Sequence, residues 1–283
     1  MGLMSVAALL RGSRSATAYG LTWISSKHLA TAVDAAQSTP LSETAPILAS
    51  GLSLDVVVVP AERPDASAAV RALSASNVAA IWAVDGVLSG AARLHGWSEA
   101  LRLSAADPHA LAATLSAESN RLVAQVRAGA AAGAVAVLIA DELASEHSWL
   151  VAPDFALESL VPHYRQAARS TDLPVAFHSD GDVRAIHQAL AHAGFSAVHV
   201  AAGSDEATGA AFASVRDAGM VPMGGIRVQA LHRRGARATG AAAARLAAGG
   251  PAIICDDGGL TEVEDLAAFA AALDAARDMR AGA

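Results

Sequence analysis

A histidine and an aspartate two positions apart are the strongest chemical signal in the sequence. They are His178 and Asp180, in the stretch Pro174–Asp182, which reads Pro-Val-Ala-Phe-His-Ser-Asp-Gly-Asp. The leading proline, the β-branched and aromatic residues and the glycine stop predict a buried strand that ends in a polar turn. Side chains of a strand alternate between its two faces, so the imidazole and the carboxylate point in the same direction.

The only cysteine of the sequence, Cys255, ends another short apolar run. A histidine nitrogen, a carboxylate oxygen and a thiolate are all zinc ligands, and three protein ligands with one open position are typical of catalytic zinc. We therefore predict that His178, Asp180 and Cys255 hold a zinc ion, with Asp256 and Asp257 orienting these ligands. The alternative is that Cys255 is a small buried hydrophobic residue and that the histidine and aspartate only hydrogen-bond each other.

Two further carboxylates at predicted strand ends are candidate catalytic groups. Asp141 and Glu142 end an apolar run, and alternation favours Glu142 as the one that faces the site, either as a further metal ligand or as a general acid. Asp85 is followed by Gly86 after an earlier run and is predicted to position the substrate. Capping of a neighbouring helix or an Asx-turn explains each of these acidic residues equally well.

Four other residues near predicted strand ends have no single assigned role. His147 and Trp149 either form a wall of a substrate pocket or lie on a surface loop. His199 stands between two valines and fits a hydrogen-bonded structural histidine better than a metal ligand. Arg227 is the cation nearest to Gly224-Gly225, where a phosphate could approach the backbone closely.

The elements that position these residues follow a regular alternation. Eight short apolar runs are connected by alanine-rich stretches of helical periodicity, which predicts a parallel sheet and, from the count, a single (β/α)₈ barrel of the α/β class over residues 1–283. The predicted strands are Tyr19–Ser25, Leu54–Pro60, Val78–Val84, Ala134–Ala140, Pro174–His178, Ala197–Ala201, Met220–Gly224 and Ala252–Cys255. The predicted helices include Asp65–Ser74, Pro108–Ala131, Pro153–Ser170, Val183–Ala193, Glu206–Ala218, Ala238–Ala248 and Glu262–Ala276. Active sites of such barrels lie at the carboxyl ends of the strands.

The segment from His28 to Ala49 is the least regular part of the sequence. It contains Pro40 and Pro46 and lacks a clear apolar period. We predict a loop with a short helix that covers one mouth of the barrel.

Composition excludes several classes of protein. Hydrophobic residues make up 53% of the chain and the mean hydropathy is +0.37, yet no apolar run approaches the roughly 20 residues of a membrane span. The basic residues Arg11 and Arg14 follow the apolar start instead of preceding it, which is the wrong order for a secretory signal. A single cysteine excludes an internal disulfide, and we expect a cytoplasmic protein. A net charge of −7 without a basic stripe argues against nucleic-acid binding.

Several segments resemble the uroporphyrinogen decarboxylase superfamily, from about Ala79 to the C-terminus and more weakly before it. The segments with the clearest resemblance are Ala79–Gly96, Gly129–Ala144, Leu150–Tyr164 and Pro174–Gly181. The third contains Val-Ala-Pro-Asp-Phe and Val-Pro-His-Tyr, similar to the family's Ile-Ser-Pro-Glu-Xaa-Phe and Pro-Tyr segment. The fourth is similar to its Pro-Val-Xaa-Xaa-His-Ser-Xaa-Gly strand. The resemblance implies a single (β/α)₈ barrel.

Decarboxylases of that superfamily carry an Arg-Gln-Ala-Gly-Arg stretch after the first strand and an aspartate after the second. Here the first strand ends in Trp-Ile-Ser-Ser-Lys-His, up to His28, and the second in Val-Pro-Ala-Glu-Arg, up to Arg63. A substrate with eight carboxylates needs cationic groups to receive it. The sequence therefore disfavours a porphyrinogen decarboxylase.

The other branch of the superfamily, zinc methyltransferases that act with corrinoid proteins or thiols, has a His-Xaa-Cys pattern on strand five and a cysteine after strand eight. His178 and Cys255 match two of these positions, and Asp180 stands in place of the first cysteine. The resemblance implies a zinc-dependent transfer of a methyl group from a small methylated donor to a corrinoid protein or thiol, with zinc as Lewis acid. The alternatives are a metal-independent porphyrinogen decarboxylase and a non-catalytic barrel that binds a tetrapyrrole or a partner protein. A homodimer is compatible with the sequence.

Overall fold

Eight parallel strands form a closed barrel in the computed structural model, which describes residues 3–12, 17–22, 39–145, 147–258, 260 and 263–281. The strands are β1 Thr17–Leu21, β2 Val56–Pro60, β3 Ala79–Asp85, β4 Ala136–Ala140, β5 Val175–Ser179, β6 Ala197–Val200, β7 Val221–Ile226 and β8 Ala252–Asp256. Each strand pairs with its neighbours in the sequence, and β1 closes the barrel against β8. The predicted (β/α)₈ barrel is confirmed.

Helices surround this barrel and connect its strands. They are α1 Leu3–Leu10, α2 Leu41–Gly51, α3 Ala66–Ala75, α4 Val87–His95, α5 Trp97–Ala106, α6 Pro108–Ala132, α7 Val161–Ala168, α8 His187–Ala193, α9 Asp205–Asp217, α10 Val228–Arg234, α11 Ala236–Ala248 and α12 Val263–Ala281. A helical turn, Pro153–Phe155, and a π-helical segment, Ala156–Leu160, lead into α7. Among the helices of the described ranges, none has both the length and the apolar character that crossing a membrane requires.

The barrel interior is filled by small and aliphatic side chains at alternate strand positions. Alternation directs every second residue of a strand into the barrel. The interior cluster contains Val56, Val58, Ala79, Ile81, Ala83, Ala136, Leu138, Ala176, Ala197, Val221, Met223, Ile253 and Cys255. Val6, Leu9 and Leu10 of α1 belong to the same cluster, as does Ala18, and Val135 at the start of β4 packs against it. Helix α1 therefore closes the end of the barrel where the strands begin, and the opposite end remains for the polar residues.

Aromatic side chains between β5 and the helices fix which face of β5 points inward. Phe177 is fully buried outside the barrel, with its ring centroid 5.4 Å from that of Tyr164 and 5.9 Å from that of Phe195. Such tilted and edge-on aromatic pairs add about 1 kcal/mol beyond the area that they bury. Because Phe177 faces outward, its neighbour His178 must face into the barrel.

The segment predicted to cover the barrel mouth is only partly described. Residues 28–38 lie outside the described ranges, and the rest of the segment belongs to α2. Leu41, Ala45 and Leu48 are buried in the outer apolar core, and α2 packs against α3. This part of the segment is thus a helix of the outer layer.

The sequence analysis did not identify α4 and α5. These two short helices adjoin at Gly96, whose φ of +82° breaks the helical path between them. Glycine adopts this left-handed region at little cost. The break interrupts the apolar period, so neither helix shows a long periodic pattern in the sequence.

One buried histidine of the outer layer makes the stability of the fold depend on pH. His187 begins α8, is 1% exposed, and its Nδ1 lies 3.0 Å from Oγ of Ser214. Burial lowers the pKa of His187 to about 4, whereas an unfolded histidine has a pKa of about 6.5. Above that pH both states hold a neutral ring. Between about pH 6.5 and 4 only the unfolded chain takes up the proton, so the free energy of unfolding falls as the pH falls.

Replacing His187 with glutamine, which can keep a hydrogen bond to Ser214 without titrating, should weaken this pH dependence. We expect His187→Gln to lose about 1 kcal/mol less stability per pH unit than the wild type between about pH 6 and 5. Urea unfolding at about pH 7, 6 and 5 measures the difference. His192→Gln, at an exposed position of the same helix, is the matched control. Identical pH dependence in all three proteins would contradict the assignment.

Candidate metal centre

Three side chains that can each offer one ligand atom to a cation meet at the carboxyl end of the barrel. They are Glu142, His178 and Asp180, and their ligand atoms all lie within 4.8 Å of one another. Nε2 of His178 is 3.0 Å from Oδ1 of Asp180. His178 is buried, whereas the Asp180 side chain is 62% exposed. The group therefore has one side in the protein and one side open to solvent.

Neighbouring strands deliver these residues to the same place. β4 and β5 pair in register with Ala140 opposite His178. Glu142 lies two residues beyond Ala140, and Asp180 lies two residues beyond His178, so all four positions share the inward-facing parity. The preference for Glu142 over Asp141 at the site agrees with this placement, and its catalytic role stays a prediction.

The two carboxylates of the group affect each other. Burial raises the pKa of Glu142 to about 7, the negative charge of Asp180 adds to this, and His178 opposes it. The hydrogen bond with His178 lowers the pKa of Asp180. Two carboxylates at this distance from each other and from an imidazole form a site of excess negative charge, which favours a bound cation.

The residue before Glu142 is a buried carboxylate that holds this part of the barrel together. Asp141 accepts hydrogen bonds from the backbone N–H groups of Leu88 (2.9 Å) and Ser89 (2.7 Å), from Oγ of Ser89 (2.7 Å) and from the Tyr164 hydroxyl (2.7 Å). Burial raises its pKa and these bonds oppose the rise. Asp141 thus joins the end of β4 to the first turn of α4, where a negative charge is stabilised, and to α7.

Two glycines allow the backbone to pass close to these groups. A Cβ on Gly86 would overlap the Asp141 carboxylate, and a Cβ on Gly181 would overlap the carbonyl group of Ser145. Oγ of Ser179 accepts hydrogen bonds from the N–H groups of Leu143 (3.0 Å) and of the next residue. The turn that carries Asp180 is therefore held against the loop that carries Glu142.

Cys255 does not belong to the group of three. It is 1% exposed on β8, in the interior cluster that also contains Met223 and Ile253. Its Sγ lies 3.8 Å from the carbonyl oxygen of Ile253. Burial raises the pKa of the Cys255 thiol well above its usual range, and the charge of Asp256 adds to this. The predicted role of Cys255 as a zinc ligand stays a prediction.

Two cavities open at the group and share Asp180 and Gly258. The larger, of about 610 Å³, is lined by Asp85, Ser89, Ala92, Arg93, Gly96, Trp97, Ala140, Glu142, His178, Asp180 and Gly258. The smaller, of about 400 Å³, is lined by Ser145, Asp180, Ala201, Ala202, Arg227, Val228, Gln229, Asp257 and Gly258. The predicted substrate-positioning residue Asp85 and the unassigned Arg227 therefore lie on opposite sides of the group.

The arginines of these cavity walls are held by protein groups. Arg93 contacts the Asp85 carboxylate and lies 3.7 Å from Glu118. Arg227 donates to the carbonyl oxygen of Ala202 (2.9 Å) and to Asp205 (3.3 Å). The acidic groups of the walls thus outweigh the cationic groups that are not already neutralised.

His147 and Trp149 lie in a different place from the group. They line a separate cavity of about 420 Å³, together with Asp182 and Ser204 among others. Trp149 pairs with Ala144 in an isolated antiparallel bridge. Their predicted role as a pocket wall applies to this neighbouring cavity.

The aspartates after Cys255 contact other backbone segments. Asp256 is buried and accepts hydrogen bonds from the N–H group of Thr22 (2.7 Å) and from that of Gly258 (3.1 Å). Burial raises the pKa of Asp256 to about 6. Asp257 accepts a hydrogen bond from the N–H group of Val228 (3.3 Å) at the start of α10. These contacts fix the carboxyl end of β8.

A second histidine contacts the group from behind. Nδ1 of His199 is 2.6 Å from Nδ1 of His178, and its Nε2 is 2.8 Å from the carbonyl oxygen of Asp256. Both ring nitrogens of His199 are thus engaged, in agreement with the structural histidine favoured by the sequence. Its contact with His178 was not predicted. The direct pairing of the two histidines between β5 and β6 produces this contact, and strand register is not visible in the sequence.

Comparisons with known proteins agree with the barrel. A family model described as uroporphyrinogen decarboxylase (URO-D) matches residues 59–274. A methyltransferase from Methanosarcina mazei has a similar structure, with a TM-score of 0.71 and 14% identity over 98% of both chains. A tryptophan synthase from M. tuberculosis gives a TM-score of 0.51 and 18% identity over 97% of both chains. At these identities the structural likeness supports the fold alone. No curated protein sequence matches the chain significantly.

Replacing Gly86 with alanine should test the contacts of Asp141. The φ of Gly86 is −71°, which alanine adopts freely, so the effect comes from overlap of the new methyl group with the Asp141 carboxylate. We expect the free energy of unfolding to fall by about 2 kcal/mol. Gly51→Ala is the matched control, because a Cβ there meets no atom within 4 Å, and it should change stability by less than about 0.5 kcal/mol. Equal stability of the two variants in urea unfolding would contradict this account of Asp141.

Proposed function

The chain belongs to the uroporphyrinogen decarboxylase family, and we propose that within it the protein is a zinc-dependent methyltransferase. The proposed reaction moves a methyl group from a small methylated donor to a corrinoid protein or a thiol. The observation that carries the proposal is the group of Glu142, His178 and Asp180 at the carboxyl end of the barrel. The methyltransferase from Methanosarcina mazei, which shares the fold, motivates the same reaction class.

The donor atoms of this group fit a divalent cation. Zinc binds histidine nitrogen and carboxylate oxygen at about 2.0–2.2 Å, so ligand atoms of one zinc ion lie roughly 3–4 Å apart. The 3.0 Å between Nε2 of His178 and Oδ1 of Asp180 falls in this range, and Glu142 lies within 4.8 Å of both. We propose that these three residues hold zinc, with Glu142 in the position that the sequence analysis gave to Cys255. Ligation by Cys255 would require a thiolate in an apolar environment, which burial disfavours.

A zinc ion held by these residues would draw electron density from the heteroatom of the donor and so make the methyl group easier to transfer. In the transfer the bond between methyl carbon and heteroatom breaks with its electron pair left on the heteroatom, and the acceptor supplies the pair for the new bond. Asp85 and Arg93 on the wall of the larger cavity would bind a polar part of the donor, and Trp97 would pack against an apolar part. The exposed side of Asp180 leaves the centre open to the acceptor.

The charge of the cavity walls disfavours the alternative of a porphyrinogen decarboxylase. A substrate with many carboxylates would meet mostly acidic side chains and arginines that already contact protein groups. The acidic side chains of the walls are Asp85, Glu142, Asp180 and Asp257. A small donor that carries few or no negative charges fits these walls better.

The zinc content of the purified protein tests the ligand set. We expect about one zinc per chain in the wild type and in Cys255→Ala, and a small fraction of this in His178→Ala and Glu142→Gln after dialysis against a weak chelator. His95→Ala and Glu99→Gln change exposed residues of the same types and should leave the zinc content unchanged. Full zinc in His178→Ala would contradict the proposal. Loss of zinc in Cys255→Ala with retention in Glu142→Gln would restore the ligand set predicted from the sequence.

The reaction itself is tested with free cob(I)alamin as acceptor. Donors of three classes are supplied, namely a methoxylated aromatic compound, a methylated amine and a methyl thioether, and methylation of the cobalamin is followed by absorbance. We expect transfer from at least one donor, with the rate about 100-fold lower in His178→Ala and after zinc removal. Transfer at the full rate by zinc-free protein would contradict the proposal. So would decarboxylation of a porphyrinogen without transfer from any donor.

A further inference from the structure

His199 is a buried histidine with two defined contacts and no exposed edge. It is 1% exposed on β6, directly opposite His178 in the β5–β6 pairing. The two rings are tilted by 43° with centroids 4.7 Å apart, and their Nδ1 atoms are separated by 2.6 Å. The other nitrogen of His199, Nε2, lies 2.8 Å from the carbonyl oxygen of Asp256. These contacts connect β5, β6 and β8 across the top of the barrel.

The partners of His199 determine where its proton sits. A carbonyl oxygen only accepts hydrogen bonds, so Nε2 of His199 must carry the hydrogen that bonds to Asp256. Complete burial disfavours a charged ring, and a neutral imidazole carries a hydrogen on one nitrogen only. Nδ1 of His199 is therefore an acceptor, and burial lowers the pKa of this histidine to about 3.

The same reasoning fixes the orientation of His178. Only one of the two facing Nδ1 atoms can carry a hydrogen, because two N–H groups would collide at 2.6 Å. Since Nδ1 of His199 accepts, Nδ1 of His178 donates. The Nε2 of His178 then presents its electron pair toward Oδ1 of Asp180, 3.0 Å away. Two electron-pair donors at this distance attract a cation between them.

We propose that His199 is a positioning residue for the metal centre, which accepts the Nδ1 hydrogen of His178 and so fixes the tautomer in which Nε2 of His178 binds the metal. The proposal rests on the proposed zinc site and names a residue that supports it without touching the ion. The carbonyl group of Asp256 sets the proton on His199, and His199 in turn sets the proton on His178. Partners of this kind orient metal-binding histidines and raise their affinity by about 10–100-fold.

Zinc affinity measured by competition with a chromophoric chelator tests this role. His199→Leu removes the acceptor and should weaken zinc binding by about 10–100-fold. His199→Gln should restore the affinity to within about fivefold of the wild type, because its amide can accept from His178 and donate to the Asp256 carbonyl. His187→Leu, which removes another buried histidine outside the centre, is the matched control and should bind zinc as the wild type does.

Nuclear magnetic resonance of the histidine ring nitrogens gives a readout that a merely structural role would not change. In ¹⁵N-labelled wild-type protein we expect hydrogen on Nε2 of His199 and on Nδ1 of His178. The His178 pattern should persist in His199→Gln and be lost in His199→Leu. Hydrogen on Nδ1 of His199 in the wild type would overturn the proposal. Equal zinc affinity in the leucine variant and the wild type, or equal weakening in both His199 variants, would also overturn it.

The two measurements separate this inference from the proposed function. A wild-type protein that binds no zinc but shows the expected hydrogen positions contradicts the zinc-dependent function while the hydrogen-bonded orientation of His178 stands. A protein that binds zinc with hydrogen on Nδ1 of His199 contradicts the positioning role alone.

Discussion

The carboxylate of Asp141 is the contact on which the geometry of the candidate site depends. Four hydrogen bonds converge on this buried group from the first turn of α4 and from Tyr164. An ionised carboxylate far from water is costly unless such donors surround it. Because Asp141 directly precedes Glu142, the same bonds fix the backbone from which Glu142 reaches the mouth of the barrel. Gly86 is required at the closest approach, where any side chain would overlap the carboxylate.

The opposite side of the mouth is fixed in a similar way. Asp256 binds the backbone of Thr22 and closes the barrel between β8 and the residue after β1. Its carbonyl group receives the hydrogen bond of His199, which contacts His178. Buried polar groups that are fully hydrogen-bonded define one arrangement of a core instead of many. The candidate ligands are therefore held from both sides before any cation binds.

Local patterns in the sequence predicted much of this arrangement. Eight β-branched runs separated by helical stretches were sufficient for the barrel, because each strand is buried on both faces and each helix is alanine-rich. Strand alternation placed His178 and Asp180 on one face and favoured Glu142 over Asp141 at the mouth, and the structure brings these three together. These properties depend only on neighbours along the chain.

Other properties depend on how strands are staggered, and the sequence did not reveal them. Alternation directs Cys255 inward, but the stagger of the barrel sets its height, and it packs with apolar residues. The contact between His178 and His199 follows from the register of β5 and β6. Helices α4 and α5 were missed because Gly96 interrupts their common period. The role of Asp141 was hidden for the same reason, since its partners are distant in sequence.

Together these features describe a barrel of the uroporphyrinogen decarboxylase family whose mouth holds an imidazole and two carboxylates, backed by a second histidine. The central claim is that this group, without sulfur, binds the metal. X-ray absorption at the zinc edge of the zinc-loaded protein tests it most directly. The account predicts nitrogen and oxygen ligands at about 2.0–2.1 Å with the scattering pattern of one imidazole. A sulfur ligand at about 2.3 Å would identify Cys255 as a ligand and contradict the account.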